Sequence, residues 1–246
     1  MDTPLELVGR ARRLGHVASG ASGAADLAQQ RGNAAELAQI CQAWGAALAT
    51  LHTTSTHHSS APLAARPWVA NPRHLTVSMS GAAPRSGYAA VLEAYESSRD
   101  LRTAVQEVDD RWTEHHWIHG NLTATNIQVE LRPALRVSFL DLEDAGLGDP
   151  AWDLATAIDL ITWVSPYWRV MPDPLADYLL LGYRRAGGPG RLYPAIQAVR
   201  AMATAIWVAS AAYGSTGQEA AKAELATWLD RAQTHAARLG RLMAVA

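Results

Sequence analysis

Two apolar periods alternate along this chain and divide it into helical flanks around a short strand-forming centre. Leu37, Ile40, Cys41, Trp44, Leu48 and Leu51 recur at intervals of three and four, which predicts a helix opening at Asn33. The same spacing recurs over about 87–97 (Tyr88, Val91, Leu92, Tyr95) and about 99–113 (Leu101, Val105, Val108, Trp112). The period then shortens to alternation in Trp117-Ile118, in Ile127-Gln128-Val129 and in Val137-Ser138-Phe139-Leu140, the signature of three strands. Helical spacing returns with Trp152, Leu154, Ala155, Ile158, Leu160, Ile161 and Val164. It leads into an expected aromatic corner, Trp163-Val164-Ser165-Pro166-Tyr167-Trp168, and then helices over about 174–186, 191–213 and 217–239. Gly187-Gly188-Pro189-Gly190 supplies the first stop among them. Ahead of all this, Thr3 and Pro4 cap a short helix that Gly15 ends, and residues 16–32 read as small, polar linker with no strand. Residues 52–86, rich in His, Ser, Thr and Pro, read as a long loop. The expected class is mostly α with a small β component.

Composition narrows the function. Of 246 residues, 49% are hydrophobic, enough for a sizeable core. The formal net charge of -2, without a Lys/Arg block, predicts no nucleic-acid partner. With no signal-like start and no apolar run of spanning length, a cytoplasmic protein with no membrane partner is expected. Cys41 is the only cysteine, which excludes an internal disulfide and, on the apolar helix face, predicts a buried thiol. Pairs of adjacent histidines, His57-His58 and His115-His116, read as solvated polar residues rather than zinc ligands.

The polar residues between the strands carry the candidate chemistry. His119-Gly120-Asn121 opens a loop that closes at Asn126, and the third strand delivers Asp141, Glu143 and Asp144 at its end. Each has a plain reading beside the chemical one: His-Gly-Asn forms turns readily, and Asp149-Pro150 reads as a helix cap followed by proline at the first helical position. An amide oxygen and a carboxylate brought together by adjacent strands also match the hard-oxygen preference of Mg²⁺.

Taken jointly, the spacing of His119, Gly120, Asn126, Asp141, Glu143, Gly148, Asp149, Pro150 and Asp153 resembles the catalytic core of the aminoglycoside-phosphotransferase-like, protein-kinase-like family. The resemblance implies the helical C-terminal lobe of that fold, over 33–246, behind an N-terminal helix and linker at 1–32. The β lobe of a complete kinase has no counterpart in residues 1–32, and the phosphate-holding lysine has none either, because the only lysine, Lys222, lies in a C-terminal helical pattern. By resemblance Asn126 and Asp141 are metal ligands with Glu143 in support, and His119 positions the loop. The family fills position 121 with its catalytic Asp; Asn121 can orient a hydroxyl but is no base.

Trp117 to Gly120, Gly148 to Asp153 and the Trp163 to Arg169 segment are further similar to phosphotransferase-like proteins of class V lanthipeptide and thioamitide maturation. That likeness implies a degenerate, pseudokinase-type subunit in peptide natural-product biosynthesis, binding a precursor peptide, a lyase or an N-lobe-like subunit. The alternative is an active transferase using Mg²⁺ with ATP or GTP on a peptide Ser/Thr or a small-molecule hydroxyl, completed by a partner chain. Inactivation of cationic aminoglycosides by attraction to Asp141, Glu143 and Asp144 is the weakest of the three readings.

Overall fold

The computed structural model describes residues 22–23, 34–54, 67–70, 87–131, 134–168, 172–212 and 218–245. The expected helix over 3–15, most of the 16–32 linker, and His57 and His58 lie outside the described residues. The chain forms two compact units, one made of residues 5–64 and 113–191 and the other of 1–4, 65–112 and 192–246.

Among the described residues, the five short strands all fall in the first unit. β1 (Ser22–Gly23), β3 (Ile127–Glu130) and β4 (Arg136–Phe139) form an antiparallel sheet in the order β1-β3-β4. β2 (His116–Ile118) pairs separately with β5 (Gly146–Gly148). In β3, Ile127 and Val129 are buried while Gln128 and Glu130 are half-exposed, the two-residue alternation that the sequence shows. Two strands were not expected. β1 corrects the expectation that residues 1–32 hold no strand: Ser22 pairs with Val129 and Gly23 with Gln128, because the open edge of β3 presents unpaired N–H and C=O groups. β5 is Gly-Leu-Gly, without strand propensity, and exists because β2 offers it a register from His116↔Gly148 to Ile118↔Gly146.

Helix α1 (Ala34–Thr53) packs along α5 (Pro172–Arg185), and α4 (Pro150–Trp168) packs on α5 and β2. The buried face of α1 includes Leu37, Ile40, Cys41, Trp44 and Leu48, as the spacing predicts. Burial pushes the Cys41 thiol up to about 12, so it is an inert, protonated core group. The expected aromatic corner is instead helix: α4 continues to Trp168. Pro166 falls in the last turn, where its missing N–H costs one ladder bond and does not stop the element.

The second unit is helical. α2 (Gly87–Ser97), α3 (Arg99–Arg111), α6 (Pro194–Ala212) and α7 (Gln218–Val245) pack together, with a 3-10 turn at Trp68–Ala70 against α3 and α6. The Ser98 hydroxyl accepts from Leu101 N–H at 3.2 Å and starts α3, whose Leu101, Ala104, Val105 and Val108 face the core. Arg111 at the other end lies over the Tyr193 ring, 4.2 Å from its centroid.

One buried group makes this unit sensitive to acid. Burial, then the charges of Arg231 and Arg238, lower the pKa of His235 from its ordinary 6.5 to about 4. The unfolded chain therefore takes up a proton near pH 6.5 that the folded one refuses until about pH 4, so stability from this group falls as pH drops through that window. The expected outcome is that His235→Gln loses less melting temperature than the parent between pH 7 and pH 5. Equal losses in thermal melts at the two pH values would remove His235 as the source.

Candidate active site

The site grows from the loop between β2 and β3. β2 ends at Ile118, and the next two residues are held by a carboxylate from another element. Asp153, on the first turn of α4 and fully buried, accepts from His119 N–H at 2.6 Å and from Gly120 N–H at 3.1 Å. Its third partner is His52, at the end of α1, whose Nε2 lies 3.1 Å away. His52 Nδ1 in turn lies 2.8 Å from the Tyr183 hydroxyl, which accepts from Gly190 N–H at 2.8 Å. These contacts are mutually satisfied when Nε2 carries the histidine proton and Tyr183 donates to Nδ1. Burial, against the bond from Gly190, holds the Tyr183 phenol well above its ordinary value, so it remains a donor. Asp149 caps α4, accepting from Ala151 N–H at 2.9 Å, and thereby fixes the turn from which Asp153 projects.

Of these anchors only Asp149 and Asp153 stand in the sequence pattern. His52 and Tyr183 were not singled out. The signal for His52 was available: it lies four residues beyond Leu48, on the buried face of α1. Tyr183 carries the same signal, four residues beyond Leu179 on the buried face of α5, but its partners come from α1 and from the loop ending at Gly190, which spacing does not show.

His119 is fully buried, with Nε2–H donating to the Leu140 carbonyl at 2.9 Å and its ring edge-on to Phe139. It ties the start of the loop to the end of β4. Gly120 has φ +79°, and a Cβ there would meet the Asp144 carbonyl oxygen at 2.6 Å, so glycine is required for both conformation and space. The Trp152 indole N–H donates to the Gly120 carbonyl at 3.0 Å and closes the loop from the α4 side.

Past the anchor, exposed and buried side chains alternate. Asn121 is exposed, and its amide donates to the Asp144 carboxylate at 2.9 Å. Asn126 is buried; its amide donates to the Asn121 carbonyl at 3.3 Å, and its Oδ1 accepts from the Thr125 hydroxyl at 3.3 Å with acceptor capacity to spare. Leu140 N–H donates to the Asn126 carbonyl at 2.9 Å and extends the β3–β4 pairing one step beyond Ile127↔Phe139. Asp141 follows directly on the residue that faces Asn126. It is exposed and left-handed, with φ 59° and ψ 64°, a conformation that Asp adopts more readily than most residues. Glu143 is exposed on the 3-10 turn Leu142–Asp144 that follows.

The donor set suits a hard divalent cation: an amide oxygen and a carboxylate at adjoining strand ends. Among the described residues no group of three His, Cys, Asp or Glu side chains gathers for a metal. A two-ligand site of this kind fits Mg²⁺, which keeps its waters and is commonly completed by phosphate oxygens rather than by a protein cage. His115 is exposed, and His116 Nδ1 lies 3.0 Å from the His52 carbonyl, a structural contact. Lys222 lies on α7 in the other unit. Among the described residues, no helix is long and apolar enough to cross a membrane.

Comparison with known proteins bears on the fold and the family. The choline kinase LicA from Streptococcus pneumoniae superposes with a TM-score of 0.53 at 14% identity, over 82% of this chain and 65% of that one. The chain thus spans a little under two thirds of that kinase, and at this identity the likeness shows the fold. LicA in complex with AMP gives a TM-score of 0.46 at 15% identity, over 85% and 67% of the two chains. An aminoglycoside phosphotransferase from Alicyclobacillus acidocaldarius gives 0.43 at 15% identity, over 89% and 69%. No curated protein matches the sequence significantly. The model of the phosphotransferase enzyme family, the aminoglycoside phosphotransferase group, matches residues 12–198, well over half of the chain. On that match, this chain belongs to the phosphotransferase enzyme family.

Proposed function

We propose that this chain is the hydroxyl- and metal-handling part of a phosphotransferase. It moves the terminal phosphoryl group of Mg²⁺-ATP or Mg²⁺-GTP to a Ser/Thr hydroxyl of a peptide or to a small-molecule hydroxyl, with a partner chain completing the grip on the nucleotide. The observation that carries this reading is the backbone bond from Leu140, the residue before Asp141, to Asn126, which closes a loop whose backbone is pinned by buried Asp153. Catalysis in such enzymes is chiefly positioning and charge neutralisation, and a pinned loop supplies the first. Mg²⁺, when bound, would neutralise phosphate charge; Asn126 and Asp141 would hold it, with Glu143 supporting them through solvent. His119 keeps the loop in register with the strand end.

A second reading is favoured by one residue. By the resemblance Asn121 takes the position of the family's catalytic carboxylate, which suits a degenerate subunit of lanthipeptide-type biosynthesis that binds a lyase or precursor peptide and transfers nothing itself. Leu140 and Leu142, 45% and 52% exposed around Asp141, would give such a partner apolar contact.

Thermal melts separate the two. The transferase reading expects Mg²⁺-ATP or Mg²⁺-GTP at about 100 times its Kd to raise the stability of the protein, purified with its co-expressed partner, by about 2.7 kcal/mol. Asp141→Ala is expected to abolish that gain. A parent protein that co-purifies with its partner yet shows no shift with either nucleotide would select the degenerate subunit.

A further inference from the structure

The carboxylate that position 121 lacks is present one hydrogen bond away. Asn121 presents its amide outward from the pinned loop and donates to the Asp144 carboxylate at 2.9 Å. The two segments are built to touch: Gly120 lies so close under residue 144 that any side chain at 120 would strike the Asp144 carbonyl. Both side chains are exposed, so a substrate can reach them. An amide and a carboxylate in this contact are nearly equal in size, and the hydrogen bond leaves the second Asp144 oxygen and the Asn121 Oδ1 able to accept, on two exposed side chains. A hydroxyl seated there meets an acceptor that orients it and an anion that can hold its proton.

We propose that Asp144 is the proton acceptor of this site and that Asn121 orients it, so that the pair does together what one carboxylate does in the family. The inference rests on the transferase reading above. In the step it describes, Asp144 takes the proton from the acceptor hydroxyl as that oxygen bonds the terminal phosphorus of a nucleoside triphosphate. The bond from phosphorus to the bridging oxygen breaks, and the nucleoside diphosphate leaves with its electron pair. A positioned general base contributes about 10²-fold or more.

Water serves as the acceptor in the test, because the natural hydroxyl is unidentified. ADP release from Mg²⁺-ATP is measured on the protein isolated with its co-expressed partner, as parent, Asp144→Asn, Asn121→Asp and the exchanged double variant Asn121→Asp/Asp144→Asn. The proposal expects Asp144→Asn to lose about 10²-fold and the exchanged variant to recover to within about tenfold of the parent. Melting temperature gives a nucleotide-free readout. Asn121→Asp sets two carboxylates in contact and should melt below the parent at pH 7, whereas the exchanged variant restores the hydrogen bond and the melting temperature. Stability restored with activity lost would make the contact structural and overturn the proposal. Asp144→Asn releasing ADP at the parent rate would overturn it as well. A parent that releases no ADP overturns the transferase reading, and the role of Asp144 with it.

Discussion

Asp153→Ala should lower the melting temperature by about 10 °C or more, the largest effect expected of any single side chain here. Its carboxylate is fully buried and accepts from two successive backbone N–H groups and from His52. Removing it orphans two buried donors and a half-buried one at once, and each buried donor left without a partner costs about 1–3 kcal/mol. Breaking a buried charged contact costs about 3–5 kcal/mol in total. In a chain of 246 residues each kcal/mol moves the midpoint by about 2–4 °C. Asp153→Asn keeps the shape but turns an NH₂ group toward donors, so it should recover little. His52→Ala removes one of the three contacts and should cost distinctly less than Asp153→Ala. If Asp153→Ala and His52→Ala melt within a degree of the parent, the loop is not held from α4 as described.

The second large effect concerns α1 and α5, which cross with almost no space between their backbones. A Cβ on Gly45 would lie 2.0 Å from the Leu179 carbonyl oxygen, and one on Gly182 would lie 2.0 Å from the Gln42 carbonyl oxygen. Both obstacles are helix backbone and cannot swing aside. Ala favours an isolated helix over Gly by about 0.8–1.0 kcal/mol, so propensity alone predicts stabilisation. Overpacking opposes it and wins: pushing the helices apart forfeits contacts along the whole crossing, at about 3 kcal/mol for each substitution. Gly45→Ala and Gly182→Ala should each lower the urea midpoint. Because both act by separating the same pair of helices, the double variant should cost less than the sum. A midpoint raised by either substitution would mean that the helices do not cross at these glycines.

The consequences reach the site through Tyr183, the residue after Gly182. Its hydroxyl is the second support of His52, and His52 is the third support of Asp153. Shifting α5 by the width of a methyl group would loosen the carboxylate beneath the loop before any loop residue is changed.

What the sequence determined by itself is local. The three-and-four spacing of Leu37 to Leu48 and of Leu101 to Val108, and the alternation of Ile127 to Val129, reflect which faces must leave water, and every residue in them votes for the same element. The joint spacing from His119 to Asp153 marked the family because strand, loop, strand and capped helix each demand particular residues at fixed separations. Tertiary structure decided whatever has its partner far along the chain. Ser22–Gly23 and Gly146–Gly148 are strands only because β3 and β2 lend them an edge, and helix α4 passes the expected aromatic corner without stopping. His52 finds Asp153 and Tyr183 across separations of 101 and 131 residues, and Asn121 meets Asp144 only when the turn after β4 folds back over Gly120. Periodicity records which face is buried. The identity of the group waiting there is fixed only when the chain closes on itself.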